Sequence, residues 1–462
     1  MAAKKAKTEL GALALDESRY VALLTKLVGE AESLQNNPAQ DLYPREDNCS
    51  QHVLAALAPY SGPDGPLTVE RVAFQEGRGN VIITYAGTGE GSVAFVGSHM
   101  DVVPANPETW QRNPFELTVE GDHLYGRGTT DCLGHVALIT ELMLQLAVTR
   151  PALRRTVTAV LIANEENGTV ENIGVDQLMA SGKMDGIRGG PVIWVDCADS
   201  QPCIGTAGSI TWHLKATGKL FHSGLVRARV ARNSAHFGAI FSDAAPTSSR
   251  SQPHKGINAL EMCNAAVAQL QDRFYAEFPA VAQEAEYRFM TCSTMKPTQV
   301  KCAVGSLNQL PPWVEISGDV RLTPFYEVPA LRARLDEIVG EMNADLSTLP
   351  TRGPHSKYEI EGARGKLELT WGAGYMEGIA CTLGSEGNLA LIAATESVLG
   401  EAKPYSICGS LPLVRDLQRG GFDVQMTGFG LMTSYHADNE CCKLSDMGKG
   451  FRVLLGVIAE LE

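Results

Sequence analysis

No apolar run in this chain approaches the ~20 residues needed to span a bilayer, which argues against a membrane-embedded protein. Positive charge is also scarce, with 39 Lys and Arg against 53 Asp and Glu for a formal net charge of -14. A nucleic-acid partner needs clustered Lys and Arg to displace counterions, so that class is disfavoured too. The same sign suits a small, partly cationic ligand. The segment Met1–Leu10 carries Lys4, Lys5 and Lys7 but no apolar stretch, and Arg is absent before Arg19 while Glu9, Asp16 and Glu17 come early. Neither a secretory signal nor an organelle transit peptide is expected from it. The eleven cysteines, including the adjacent Cys441 and Cys442, follow no regular framework in a chain too long to need covalent staples. A soluble cytoplasmic protein is expected, with no nucleic-acid and no membrane partner.

What is present is ordinary globular material: 462 residues, 44% hydrophobic and 20% charged, enough for two or more domains. Helical spacing runs through Glu17–Gly29 and Asp47–Leu57. Short apolar runs at Asn80–Tyr85, Ser92–Gly97, Thr156–Ala163 and Pro191–Val195 then alternate with helical patterns at Gly134–Leu146 and Gly174–Met179. Buried strands between helices imply an α/β sheet covered on both faces. From about Ile210 the texture changes. A strand-like stretch reaches Leu220, followed by a helix over Ile257–Phe274, strands near Val300 and over Val314–Leu322, and a helix over Val328–Leu346. That order suggests an inserted β-α-β-β-α-β unit. After Leu383 the first texture returns, with a helix over Asn388–Leu399, a strand over Asp423–Thr427 and a helix over Asp446–Leu461. The expected division is 1–205 and 384–462 for a discontinuous catalytic domain and 206–383 for the insertion.

Chemistry-bearing residues collect at strand ends. Gly97-Ser98-His99-Met100-Asp101 closes an apolar run, and ligands of open α/β sheets gather outside the carboxyl ends of strands. His99 and Asp101 suit a metal-bound histidine whose second nitrogen is oriented by a carboxylate; a loop histidine bonded to its neighbour is the plainer alternative. Gly126-Arg127-Gly128-Thr129-Thr130-Asp131 brings a carboxylate to the start of a helix, either to bridge two cations or to cap the helix. The segment lacks the third glycine of a dinucleotide-binding turn. Glu165 and Glu166 follow the strand Thr156–Ala163, where adjacent buried carboxylates are costly unless metal, protons or partners neutralise them. Asp196 follows another strand with Asp199 close behind, and His436 lies between the last strand and the closing helix. Cys132 has no base identifiable beside it. Jointly, two histidines and several carboxylates form a nitrogen and oxygen donor set suited to zinc, cobalt or manganese.

With these motifs the sequence resembles the M20 metallopeptidase family, and within it the plant-type acetylornithine deacetylase branch, from Asp47 to the closing helix. Further matching segments are Gly205–Gly208, Gly218–Gly224, Ile257–Glu261, Ser293–Thr298, Gly318–Pro324 and Pro404–Pro412. The resemblance implies a mixed-sheet α/β catalytic domain of the di-metal aminopeptidase type, with an inserted α+β, ferredoxin-like lid and dimerisation domain. It implies that His99 ligates one metal and His436 the other, that Asp131 bridges them, and that Glu166 and Asp196 complete the two shells. Glu165 matches the general base and Asp101 the orienting carboxylate. His222 matches a lid histidine that reaches into the partner's site in dimeric relatives, while Asn258 and Arg321 match lid residues that hold substrate. The implied cofactor is two divalent cations, Zn2+ or Co2+. The implied reaction is hydrolysis of a small N-acyl amino acid, N2-acetyl-L-ornithine, by a homodimer. A dipeptidase, an aminoacylase and a succinyl-diaminopimelate desuccinylase share the motifs, and a catalytically silent binding protein is disfavoured by the intact Glu165.

The pattern of resemblance is interrupted once. It runs from Lys219–Leu225 directly into Pro253–Asn258, and Val226–Gln252 lies between. These residues include Arg227, Arg229, Arg232 and Arg250, a single acid and no sustained periodicity. Valine codons begin with GT and one glutamine codon is CAG, so the segment is expected to be translated intron. The alternative is a lineage-specific surface loop, since long insertions cost little in closure entropy.

Overall fold

Uninterrupted apolar sequence becomes central strand. Ser92–His99 is buried at every position, as is Val192–Val195, and Thr156–Ile162 is buried after its first residue. The computed structural model describes residues 2–167, 170–223, 255–352 and 356–462. The expected intron-derived segment Val226–Gln252 lies outside the described residues.

These strands sit in the middle of an eight-stranded sheet in the spatial order Leu67–Ala73, Gly79–Tyr85, Thr156–Ile162, Ser92–His99, Val192–Val195, Val424–Thr427, Cys203–Thr206, Tyr405–Ile407. The four strands from Thr156–Ile162 to Val424–Thr427 run parallel to one another, and antiparallel pairs flank them. The sheet is therefore mixed. Helix Leu133–Thr149 packs into the main core with Val136, Leu142 and Leu146 fully buried, beside Phe451 and Leu454 of the closing helix Leu444–Leu461. Each such buried side chain contributes roughly 1.5–3 kcal/mol.

The inserted unit folds as the expected β-α-β-β-α-β succession. Its four strands pair antiparallel in the order Thr294–Cys302, Trp313–Leu322, Gly208–Thr217, Lys366–Met376. Helices Ala259–Glu277 and Val328–Ala344 cover one face through Met262, Phe274 and Leu335 against Trp212 and Leu214. The helix expected from Ile257 begins at Ala259. The Asn258 side chain accepts the backbone N–H groups of Leu260 at 3.1 Å and Glu261 at 3.3 Å, which ends the extended approach and caps the helix.

Candidate metal centre

Three adjacent parallel strands release their chains at one edge of the large sheet. His99 is the last residue of Ser92–His99, Glu165 and Glu166 follow Thr156–Ile162, and Asp196 follows Val192–Val195. Asp131 arrives in the turn before helix Leu133–Thr149, and His436, at φ 56°, in the loop after Val424–Thr427. The capping alternative for Asp131 fails: Cys132 occupies the N-cap position and no side-chain cap bond is made.

The Asp131 carboxylate lies between the two histidines. Its Oδ1 is 2.9 Å from His99 Nε2 and its Oδ2 is 2.7 Å from His436 Nε2. Asp196 Oδ1 stands 3.5 Å from His99 Nε2 and Glu166 Oε2 stands 3.2 Å from His436 Nε2, so each histidine faces Asp131 and one further carboxylate. Glu165 Oε2 is 3.9 Å from His99 Nε2. The neighbouring Asp199 is turned away and accepts the backbone N–H of Met432 at 3.1 Å.

His99 Nδ1 is 2.8 Å from the Asp101 backbone oxygen and 3.5 Å from its carboxylate. Donation to the backbone oxygen fixes the ring with Nε2 facing Asp131. The Asp101 carboxylate has a second task, accepting the backbone N–H groups of Glu165 and Glu166, each at 3.0 Å, and Asn36 Nδ2 at 2.8 Å. Asn36 also reaches Asn164 Oδ1 at 3.2 Å. Asn164, at φ 60°, is held by Arg78 Nη2 at 3.1 Å and by its own N–H on Glu46 at 3.1 Å, inside a buried Arg78–Glu46 pair. Asn36, Glu46 and Arg78 thus support the glutamate pair. Sequence reasoning missed them because each lies far along the chain from its partners.

The electrostatics call for cations. Burial, with Asp196 beside it, pushes Glu165 well above the usual carboxylate range, and burial with Asp131 lifts Glu166 to about 7. Burial also raises Asp196. Although burial opposes the charge on Asp131, His436 and His99 hold it below the ordinary range. Burial likewise opposes His436, yet Asp131 and Glu166 lift it to about 11. Among the described residues, Glu165 Oε1 and Asp196 Oδ2 are buried without a hydrogen-bond partner. Buried ionised groups are costly unless paired. Imidazole nitrogens facing buried carboxylate oxygens at these separations form a nitrogen and oxygen donor set that fits two divalent cations.

Cys132 does have a histidine beside it, contrary to the expectation, with Sγ 3.3 Å from His135 Nδ1. His135 Nε2 accepts the Phe429 backbone N–H at 2.7 Å, so the ring proton sits on Nδ1 and points at the sulfur. Burial pushes the thiol well up and the imidazole down to about 4. That ring cannot take the thiol proton, and the pair is no nucleophile.

A cleft of about 420 Å³ opens over the centre and is lined by Glu165, Glu166, Asp196 and His436 on one side and by Arg321 and Met376 of the insertion on the other. Arg321 Nε donates to Asp319 at 2.8 Å, leaving other guanidinium donors for a ligand. Asn258 is placed instead at its helix cap, outside the cleft lining. His222 is also outside it, in the short pairing of Phe221–His222 with Gln309–Leu310, where Asn308 Nδ2 lies 3.2 Å from its Nε2.

A model of the family described as Peptidase family M20/M25/M40 matches residues 95–460. The chain is 49% identical over 453 residues to acetylornithine deacetylase of Arabidopsis thaliana, covering 97% of this chain and 96% of that protein. It is 46% identical over 464 residues to acetylornithine deacetylase of Dictyostelium discoideum, covering 97% and 98%. Among solved structures, a dinuclear metal binding peptidase of the M20 family from Bacillus subtilis superposes with a TM-score of 0.57 at 13% identity, covering 96% of this chain and 99% of that one.

Proposed function

Because the chain belongs to peptidase family M20/M25/M40, we propose that it is a metal-dependent amidohydrolase that converts N2-acetyl-L-ornithine to acetate and L-ornithine. The observation that carries the reaction class is the Asp131 carboxylate shared by His99 and His436 under a cleft. The substrate follows from similarity, over nearly the full length of both chains, to two acetylornithine deacetylases.

His99, Asp131 and Asp196 would hold one cation and His436, Asp131 and Glu166 the other, with zinc or cobalt as the metal. When bound, the cations supply polarisation of an acyl carbonyl and acidification of a water. Glu165, buried and with a high proton affinity, takes a proton from the attacking water and returns it to the leaving amine. Arg321 binds the substrate carboxylate through its free donors. Asp101 orients His99 and, through two N–H bonds, both glutamates.

The chain acts as a homodimer in which His222 completes the partner's site, in line with its place away from the cleft of its own chain. If so, mixing His222→Ala with Glu165→Ala protein restores part of the activity through hybrid sites; hybrids that form and stay inactive exclude the role. A cytoplasmic location, in the supply of ornithine and arginine, agrees with eleven free thiols. No helix among the described residues is long and apolar enough to cross a membrane. Ranking kcat/KM over acetylornithine, succinyl-diaminopimelate, other N-acyl amino acids and dipeptides tests the substrate. Acetylornithine should lead, and a dipeptide or succinyl substrate in first place would reassign the enzyme within its family.

A further inference from the structure

Asp131 can serve two histidines only if its backbone is held still, and what holds it comes from the other end of the chain. The turn that carries it bends at Gly128, whose φ of 92° is one that L side chains rarely adopt. This bend aims the N–H groups of Gly128, Thr130 and Asp131 at one point, and the Glu440 carboxylate occupies it. Glu440 Oε1 accepts from Thr130 N and Asp131 N, both at 2.8 Å. Its Oε2 accepts from Gly128 N at 3.1 Å and from Arg127 Nη1 at 2.7 Å. Four donors fill the carboxylate, which has 0% exposure. The Glu440 backbone oxygen also accepts the Gly126 N–H at 3.0 Å. Glu440 lies in the loop of His436, so the two loops that carry Asp131 and His436 close on each other around one buried anion.

The bland alternative is that Glu440 is there to neutralise buried Arg127. Yet Arg127 supplies one donor of the four, and both bonds to Oε1 come from Asp131 and its neighbour. We infer that Glu440 is a positioning residue that sets the spacing of Asp131 and His436, and thereby the affinity for the cation these two residues share with Glu166. The inference rests on the two-cation reading above.

The test compares metal-free wild type with Glu440→Ala, Glu440→Gln and Arg127→Met, measuring zinc uptake by equilibrium dialysis and the urea midpoint of each metal-free protein. Glu440→Ala should lose roughly ten-fold or more in affinity at one of the two positions, the scale expected when a partner behind a ligand is removed. Glu440→Gln keeps an oxygen for Thr130 and Asp131 and should lose less. Arg127→Met breaks the buried ion pair but leaves the carboxylate on Asp131, so its midpoint should fall while zinc affinity stays within about three-fold of wild type, well inside the ten-fold scale. If zinc affinity simply tracks the urea midpoint across the variants, Glu440 is structural and the inference fails. Should Glu440→Ala not fold, the contrast between Glu440→Gln and Arg127→Met decides by the same criterion. Wild type that takes up no zinc would overturn the two-cation reading and this inference with it.

Discussion

Among the described residues Glu165 Oε1 is buried with no hydrogen-bond partner, whereas Glu166 Oε2 lies 3.2 Å from His436 Nε2 and its Oε1 accepts the Val103 N–H at 3.2 Å. The two side chains share one chemistry and differ in what surrounds them. Glu165→Ala should keep the cations and lose turnover by roughly 10²-fold or more, the usual effect of removing a general base. Glu166→Ala should lose cation affinity first. Metal analysis finding both variants equally depleted would contradict this division of labour. At this scale the sequence is most informative about residues in short motifs, at strand ends for His99 and Asp196 and before a helix for Asp131. It is silent on Asn36, Arg78 and Glu46, because nothing local marks a polar residue whose partner lies, as Asn164 does from Asn36, 128 residues away. Glu440 lies four residues after His436, and its role depends on Gly128, Thr130 and Asp131, which no local pattern connects to it.

Among the elements, legibility follows burial. Ser92–Gly97 and Pro191–Val195 are read as strands from their short apolar runs, and the strands Ser92–His99 and Val192–Val195 are buried at every position. Leu67–Ala73, at the edge of the large sheet, carries Glu70 and Arg71 on exposed positions and shows no clean alternation. Lys366–Met376 is likewise an edge strand with much of its length in solvent, and it completes the second sheet without a strong sequence signature. Val226–Gln252 belongs to this scale as well, since it separates the strand Phe221–His222 from the cap Asn258. A translated intron predicts transcripts, and a peptide from active enzyme, in which Leu225 is joined to Pro253. Active enzyme that contains only the uninterrupted segment would refute it.

For the whole molecule, the large sheet takes strands from both ends of the chain, Leu67–Thr206 and Tyr405–Thr427, with the four-stranded sheet inserted between them. We propose 1–205 and 384–462 as the catalytic parts and 206–383 as the lid. Arg321 from the insertion and His436 from the second part line one cleft, so the proposed mechanism draws on both. The central claim is that this cleft hydrolyses acetylornithine only when its cations are present. The direct measurement is ornithine and acetate release from acetylornithine by protein stripped with a chelator, before and after zinc or cobalt is restored, with bound metal counted in parallel. Negligible release from stripped protein, and recovery that rises with bound metal, is the predicted result. Undiminished release from metal-free protein, or none from fully loaded protein, would contradict the account.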